Sequence, residues 1–244
     1  MLPDSTQTNL SYPDSAITKP SIALVKQSID VAAQYGATYV NIHPGEARLT
    51  KIDFDNEIFE PIGPEAPLTQ CIGTLGVSLR EIASYAFSKN IAFYVESVPP
   101  NAPSSPWHGP EGRKHPVSIA QIPVSVVADM TTIENVYFTN DLSHTAGNIV
   151  SRDRTKVFDF LWRTTTDLAS KTKLIHASYL IPPYNGTDYH GCLYYDEFNS
   201  QDAVPNRQEM KKLLQLFKNR QDVGVLVEPE KDHQKNFREL KKLV

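Results

Sequence analysis

Five predicted strands in this 244-residue chain each end on a side chain that binds metal ions well. Each strand is a short run rich in β-branched and aromatic residues, and a histidine or a carboxylate closes it. The carboxyl ends of parallel strands share one edge of a sheet, so these side chains are expected to converge. Mixed imidazole and carboxylate ligands suit zinc or manganese, whereas the absence of paired cysteines argues against a structural zinc site. The five residues are His43, Glu96, Asp141, His176 and Glu228.

The loops that follow these strands carry further candidate ligands. His144 comes three residues after Asp141, and an Asp-x-His pair, Asp188 and His190, lies in the long loop after the strand that ends on His176. A single histidine or carboxylate in a loop more often makes a hydrogen bond or caps a helix. The recurrence of such residues after every predicted strand favours a shared metal site.

Three residues in these loops are candidates for substrate binding: His144, Trp107 and Arg113. An indole would stack on a sugar or a base, and an imidazole or a guanidinium would hold hydroxyl groups or a phosphate. The alternatives are loop anchoring for Trp107 and plain surface charge for Arg113, and both stay open.

Helix and strand patterns alternate along the chain, which predicts a parallel sheet in an α/β fold. The loops after strands are long, and those before strands have only a few residues. Post-strand loops build the active face of a (β/α) barrel. We therefore expect a single TIM-type barrel domain over residues 1–244, apparently without the first strands of the usual eight. Predicted strands cover 37–43, 91–96, 136–141, 173–176 and 223–228, and predicted helices cover 22–36, 69–89, 119–133, 157–168, 206–220 and 232–243.

Composition excludes several classes of protein. Apolar residues make up 40% and charged residues 21% of the chain, as in ordinary globular proteins. No apolar run is long enough to span a bilayer, and residues 1–14 show no signal-peptide pattern. The two cysteines form no disulfide framework, so a cytoplasmic location is expected. The net charge of −4 gives no general attraction to nucleic acid, although a basic cleft can still occur on an acidic protein.

Short motifs occur in a characteristic order over nearly the whole chain. They are Asn9-Leu10-Ser11-Tyr12-Pro13-Asp14, Tyr35-Gly36-Ala37, Asn41-Ile42-His43-Pro44-Gly45, Val95-Glu96-Ser97, Asp141-Leu142-Ser143-His144, Leu174-Ile175-His176, Asp188-Tyr189-His190 and Leu226-Val227-Glu228-Pro229. In order and rough spacing this set resembles the xylose-isomerase-like barrel superfamily, which includes sugar isomerases, sugar epimerases and endonuclease IV.

The resemblance implies a metal site shared by the whole superfamily and catalytic roles for two of its ligands. In the isomerases, the two glutamates on the metal also move protons, and Glu96 and Glu228 match them. The residues that match the shared four-ligand site are Glu96, Asp141, His176 and Glu228.

The resemblance to endonuclease IV implies further metals. There, a second metal is held by residues that match His144, Asp188 and His190. A third is held partly by the residue that matches His43, bridged by the one that matches Glu96. The early metal-binding histidine of that family would fall near Pro3 or Asp4, so the chain departs from the complete three-metal pattern.

Three functions follow from these expectations. The first is a sugar or sugar-phosphate isomerase or epimerase, in which zinc or manganese polarises the substrate and glutamates transfer protons. The alternative is an endonuclease IV-like AP endonuclease that hydrolyses a phosphodiester in DNA with clustered metals. The third is a non-catalytic barrel remnant that binds metal. The missing early strands would leave a sheet edge open, and a homo-oligomer is one way to cover it.

Overall fold

The computed structural model describes residues 1–107, 109–149 and 151–244. Helices and strands alternate along the chain as predicted, and two hairpins interrupt the alternation. In chain order the elements are α1 (Ser15–Gln34), β1 (Tyr39–Ile42), β2 (Leu49–Asp53), β3 (Ile58–Ile62), α2 (Leu68–Ser88), β4 (Ala92–Glu96), β5 (Asn101–Pro103), α3 (Pro110–Lys114), β6 (Pro116–Ser118), α4 (Val124–Met130), β7 (Val136–Asp141), α5 (Leu142–Gly147), α6 (Arg154–Asp167), β8 (Thr172–His176), a 3-10 helix (Asp196–Asn199), α7 (Arg207–Gln215), β9 (Gly224–Leu226) and α8 (His233–Leu240).

The five predicted strands form one parallel sheet in the order β1-β4-β7-β8-β9. Val95 lies opposite Phe138, and Asp141 lies opposite His176, so the carboxyl ends of neighbouring strands are level. The sheet curls into a half-barrel. This confirms the predicted α/β fold, a TIM-type barrel that is incomplete.

Alternation along the strands separates a core face from a site face. Phe93, Val95 and Phe138 pack against α1, α2 and α4 in one hydrophobic core, while α5 to α8 pack on β8 and β9 in a second. Residues of the opposite parity point to the concave face, where Tyr39 stacks on Tyr94 with ring centroids 4.9 Å apart. Glu96 lies on this face, two residues beyond Tyr94. The sheet therefore presents its polar strand ends on one side only.

Several element boundaries differ from the predictions for local reasons. Helix α1 begins at Ser15 instead of residue 22, because the side chain of Asp14 accepts a hydrogen bond from the Ala16 amide at 2.8 Å and caps it. Pro20 lies inside this helix. Helix α4 covers only Val124–Met130 of the predicted 119–133, because Pro123 restricts the chain before it and becomes the N-cap.

Parts of the predicted loops are ordered elements. The loop before α2 contains the antiparallel β2–β3 hairpin, which we missed because Pro61 argues against a strand. The N-terminal segment joins this hairpin, since Thr6 pairs with Lys51 and the Gln7 amide donates to the Thr50 carbonyl oxygen at 2.8 Å. The loop after β4 contains the β5–β6 hairpin and α3, and the loop after β7 begins with α5. These pieces are too short to show a reliable period.

Among the described residues, no helix is long and apolar enough to cross a membrane. The expectations of a single domain, a cytoplasmic location and a homo-oligomer stay predictions.

Candidate metal centre

Four of the predicted ligands meet at the carboxyl end of the sheet. The Nδ1 atom of His176 lies 3.0 Å from Oε1 of Glu96, 3.5 Å from Oδ2 of Asp141 and 3.2 Å from Oε2 of Glu228. One ligand atom from each residue lies within 4.8 Å of all the others. We call these four residues the four-ligand group. Three carboxylates and one imidazole around a common point suit a divalent cation such as manganese or zinc.

Three of the four ligand residues in this group have buried ligand atoms without partners among the described residues. Within the described part of the chain, Glu96 Oε1, Asp141 Oδ2 and His176 Nδ1 have no hydrogen-bond partner. All three residues are at most 3% exposed, so water offers little compensation. An unpaired buried polar group costs about 1–3 kcal/mol, and a charged one costs more. The unpaired atoms are those that face one another, so these residues fit a bound divalent cation.

A second set of predicted ligands, His144, Asp188 and His190, forms what we call the three-ligand group. The Nε2 atoms of the two histidines lie 3.0 and 2.9 Å from the same oxygen, Oδ1 of Asp188. Their Nδ1 atoms lie 2.9 Å from the Ser97 carbonyl oxygen and 2.8 Å from the Glu228 carbonyl oxygen, respectively. A carbonyl oxygen only accepts, so each Nδ1 carries a proton. Each Nε2 atom therefore donates to Asp188 in the imidazolium form, and loss of that proton would leave its lone pair to a metal, the usual arrangement of metal-binding histidines.

Glu96 connects the two groups and brings His43 to the site. Its Oε1 atom lies 3.4 Å from Nδ1 of His144, and its Oε2 atom lies 3.7 Å from Nε2 of His43. The Asn41 side-chain amide donates to the same Oε2 atom at 2.5 Å. His43 therefore lies beside Glu96 but outside both groups, and its side chain is 46% exposed.

The carboxylates create a strongly negative environment. Burial opposes ionisation of Asp141, but His144 and His176 outweigh it and hold the pKa of Asp141 at about 2. Burial likewise opposes protonation of His176, yet Asp141, Glu228 and Glu96 raise its pKa to about 12. For Glu96 too, the neighbouring imidazoles outweigh burial and hold the pKa well below its usual range. The site attracts positive charge, and a divalent cation would displace the imidazole protons.

Hydrogen bonds around Asp141 leave one of its oxygens available. Oδ1 accepts from the hydroxyls of Ser178 and Ser143 at 2.6 and 2.9 Å and from the His144 amide at 2.9 Å. Oδ2 is the atom that faces His176. The outer contacts thus orient the carboxylate so that its unpaired oxygen points at the other ligands.

The predicted substrate contacts Trp107 and Arg113 line a pocket of about 160 Å³. His43, Asp188 and His190 line the same pocket, so it opens beside the three-ligand group. His144, the third predicted substrate contact, belongs to the three-ligand group itself and is 2% exposed. The structure therefore brings all the predicted site residues to the carboxyl end of the sheet.

Solved structures share this architecture at low sequence identity. A D-tagatose 3-epimerase-like protein matches 97% of this chain and 73% of its own, with a TM-score of 0.63 and 14% identity. Endonuclease IV from Thermus thermophilus matches 97% of this chain and 71% of its own, with a TM-score of 0.54 and 15% identity. A xylose isomerase-like TIM barrel protein from Mycobacterium smegmatis, solved with magnesium, matches 94% and 69%, with a TM-score of 0.51 and 16% identity.

The chain has the xylose-isomerase-like TIM-barrel fold. At these identities the likeness establishes the fold and leaves the reaction open. No protein-family model matches the sequence, and no curated protein matches it either.

Several residues around this site were missed from the sequence. Asn41 lies on β1, two residues before His43, which directly follows the strand, so alternation could have placed Asn41 on the site face. Ser97 and Ser178 follow the strand ends at Glu96 and His176, but nothing in their spacing shows what their oxygens contact. The pocket also includes Gln7, Phe59 and Gln121, which come from segments distant in sequence.

Proposed function

We propose that this chain is a divalent-metal-dependent isomerase or epimerase of a sugar or sugar phosphate. The observation that carries the proposal is the pair of carboxylates around one point: Glu96 Oε1 and Glu228 Oε2 lie 3.0 and 3.2 Å from Nδ1 of His176. A pocket of about 160 Å³, a size suited to a small molecule, opens beside the three-ligand group, which Glu96 connects to these carboxylates. The fold shared with a D-tagatose 3-epimerase-like protein supports this assignment.

A bound divalent cation would polarise the carbonyl and the adjacent hydroxyl of the sugar as a Lewis acid. Glu96 is held ionised by its imidazole neighbours, so it takes the proton from the carbon next to the carbonyl. The side chain of Glu228 is 44% exposed, so it exchanges protons with water and returns one to the substrate. Return of a proton to the opposite face of the same carbon gives the epimer, whereas delivery to the former carbonyl carbon gives the aldose–ketose isomer.

Deuterium uptake tests this function. Metal-loaded protein incubated in D₂O with a panel of aldoses, ketoses and their phosphates should place deuterium on the carbon beside the carbonyl, as seen by NMR. Glu96→Gln and Glu228→Gln should each reduce exchange by about 10²–10⁴-fold, which is the usual contribution of general acid–base catalysis. Glu60→Gln, at an exposed position on β3, is the matched control. The absence of exchange into any sugar of the panel would contradict the proposal.

A second candidate is a phosphodiester hydrolase of the endonuclease IV type, with DNA as substrate. The specific observation in its favour is the three-ligand group, in which the Nε2 atoms of His144 and His190 converge on Asp188. Two histidines and one carboxylate suit zinc, and paired metals stabilise the attacking and leaving oxygens in phosphoryl transfer.

Metal stoichiometry and a nicking assay separate the two candidates. One tightly bound manganese or zinc per chain favours the isomerase, whereas two or three zinc ions favour the hydrolase. Nicking of an abasic-site duplex that His190→Ala abolishes, and that the exposed-site control His115→Ala retains, would overturn our first choice. Protein that binds neither metal would contradict both enzyme functions and leave the non-catalytic remnant.

A further inference from the structure

The β2–β3 hairpin forms one wall of the pocket beside the three-ligand group. The ring of Phe59 stacks on Trp107, with centroids 4.6 Å apart and planes inclined by 30°. The Trp107 amide donates to a side-chain oxygen of Glu57 at 2.8 Å, and the Ser105 hydroxyl donates to the Asn56 carbonyl oxygen at 3.0 Å. The hairpin is therefore fixed to the loop after β4, and the aromatic wall is a built feature of the fold.

Two glutamines from separate segments line the same pocket. Gln7 belongs to the N-terminal segment, which runs along β2 through the backbone bond to Thr50. Gln121 precedes α4 and forms a β-bridge with Glu46 in the loop after β1. The positions of both glutamines are thus set by backbone pairing.

The polar atoms of these lining residues need partners. Gln7 Oε1, Gln121 Oε1 and Trp107 Nε1 are buried, and none of them has a hydrogen-bond partner in the described ranges of the chain. They offer two acceptors and one donor. A buried polar atom without a partner is unfavourable, so a ligand that supplies partners is favoured. Sugar hydroxyls both donate and accept, and the apolar C–H face of a sugar suits the Phe59–Trp107 stack.

The charged residues and the volume of the pocket further restrict the class of ligand. The Arg113 guanidinium lies 4.4 Å from the ring centroid of Tyr189 and makes a cation–π contact with it. Asp188 and Glu230 add two carboxylates to the wall, and Arg113 is the one arginine among the described lining residues. This balance disfavours a phosphate. The volume of about 160 Å³ is close to that of cavities of about 150 Å³ that hold a benzene ring.

We infer that this pocket binds an uncharged monosaccharide and that Gln7, Phe59 and Gln121 determine which sugar is accepted. The inference rests on the proposed isomerase or epimerase function. The N-terminal segment and the β2–β3 hairpin, which both line the pocket, thereby help to select the substrate.

Binding measurements test this inference directly. In a Trp162→Phe background, Trp107 is the only tryptophan, so its fluorescence reports on the pocket. Metal-loaded protein is titrated with D-tagatose and with D-fructose 6-phosphate, by fluorescence and by calorimetry. We expect saturable binding of D-tagatose with a change in Trp107 emission, and binding of the phosphate that is at least tenfold weaker.

Variants separate pocket contacts from general effects. Phe59→Ala and Gln121→Leu should each weaken D-tagatose binding by about tenfold. Phe54→Ala is the matched control, because Phe54 also contacts Trp107, edge-on at 5.8 Å, but is 59% exposed on the same hairpin. The control should change affinity less than threefold, and circular dichroism checks that each variant is folded.

The results that overturn the inference differ from those that overturn the proposed function. No saturable binding of D-tagatose, binding without a change in Trp107 emission, or tighter binding of the phosphate would each reject the pocket assignment. So would deuterium exchange whose KM is unaffected by Phe59→Ala and Gln121→Leu, although the isomerase function would then stand. Sugar binding as expected without any exchange would reject the reaction and keep the pocket.

Discussion

The hydroxyl of Ser178 donates a hydrogen bond of 2.6 Å to Oδ1 of Asp141. Ser178 lies two residues beyond the end of β8, while Asp141 ends β7, so the bond joins neighbouring strand ends. It helps to saturate Oδ1 and leaves Oδ2 facing His176. Contacts of this kind orient metal ligands and are worth about 10–100-fold in metal affinity.

Replacement of Ser178 should therefore weaken metal binding without unfolding the protein. We expect Ser178→Ala to lower the affinity for manganese or zinc by about 10–100-fold, measured by competition with a coloured chelator. Ser88→Ala, at the exposed end of α2, should leave the affinity unchanged. Equal affinities of wild type and Ser178→Ala would show that the hydroxyl does not position the carboxylate.

Metal binding should also stabilise the fold, because the four-ligand group brings buried carboxylates together. At a metal concentration about 1,000 times the Kd, the gain is about 4 kcal/mol, which corresponds to a rise in Tm of about 10 °C for a chain of this size. Asp141→Asn should remove most of this rise, whereas the exposed-site control Asp167→Asn should retain it. Since each variant is compared with and without metal, a general loss of stability cancels. If metal raised the Tm of Asp141→Asn as much as that of the wild type, Asp141 would not be a metal ligand.

Gly45 holds the loop after β1 against the N-terminal segment. Its φ of +106° disfavours any side chain, and a Cβ there would lie 2.4 Å from Oδ1 of Asn9. Asn9 in turn donates from Nδ2 to the Glu46 carbonyl oxygen at 2.9 Å and accepts from the Ser11 hydroxyl. Close packing, as well as backbone conformation, therefore requires glycine at this position.

We expect Gly45→Ala to lower the free energy of unfolding by about 3 kcal/mol, the sum of backbone strain and displacement of Asn9. Gly36→Ala is the matched comparison, because Gly36 also has a positive φ, of +72°, with no atom within 4 Å of the added Cβ. It should cost only about 1 kcal/mol. Urea denaturation of both variants measures the difference, and equal losses would show that the contact with Asn9 is unimportant.

The sequence predicted the parts of this molecule that depend on local periodicity. The five strand ends, and therefore the ligand residues, follow from apolar runs closed by a histidine or a carboxylate, because strands bring their ends to a common edge. The β2–β3 hairpin could not be predicted, because Pro61 argues against a strand and only the pairing with β2 shows that one is present. Gln7, Phe59 and Gln121 reach the pocket through tertiary pairing between distant segments, and no spacing along the chain reveals that.

Glu46 is a buried acidic residue that belongs to neither ligand group. It is fully buried, and in the portion of the chain described neither of its carboxylate oxygens has a hydrogen-bond partner. Burial raises the pKa of Glu46 from 4.5 to about 8. The folded state thus binds a proton that the unfolded state releases above pH 4.5, so this contribution to stability is present below pH 4.5 and is lost as the pH rises to about 8.

Glu46→Gln replaces the titrating carboxyl group with a neutral amide, so it should remove this dependence of stability on pH. Relative to wild type, we expect the variant to gain on the order of 3 kcal/mol in free energy of unfolding between pH 5 and pH 8. Urea denaturation with a chelator present isolates the effect from metal binding, and comparison of the two proteins cancels the titration of the site histidines. Glu60→Gln, at an exposed position on β3, should show a constant difference from wild type within about 0.5 kcal/mol. A Glu46→Gln difference that does not change with pH would mean that Glu46 is ionised in the folded protein.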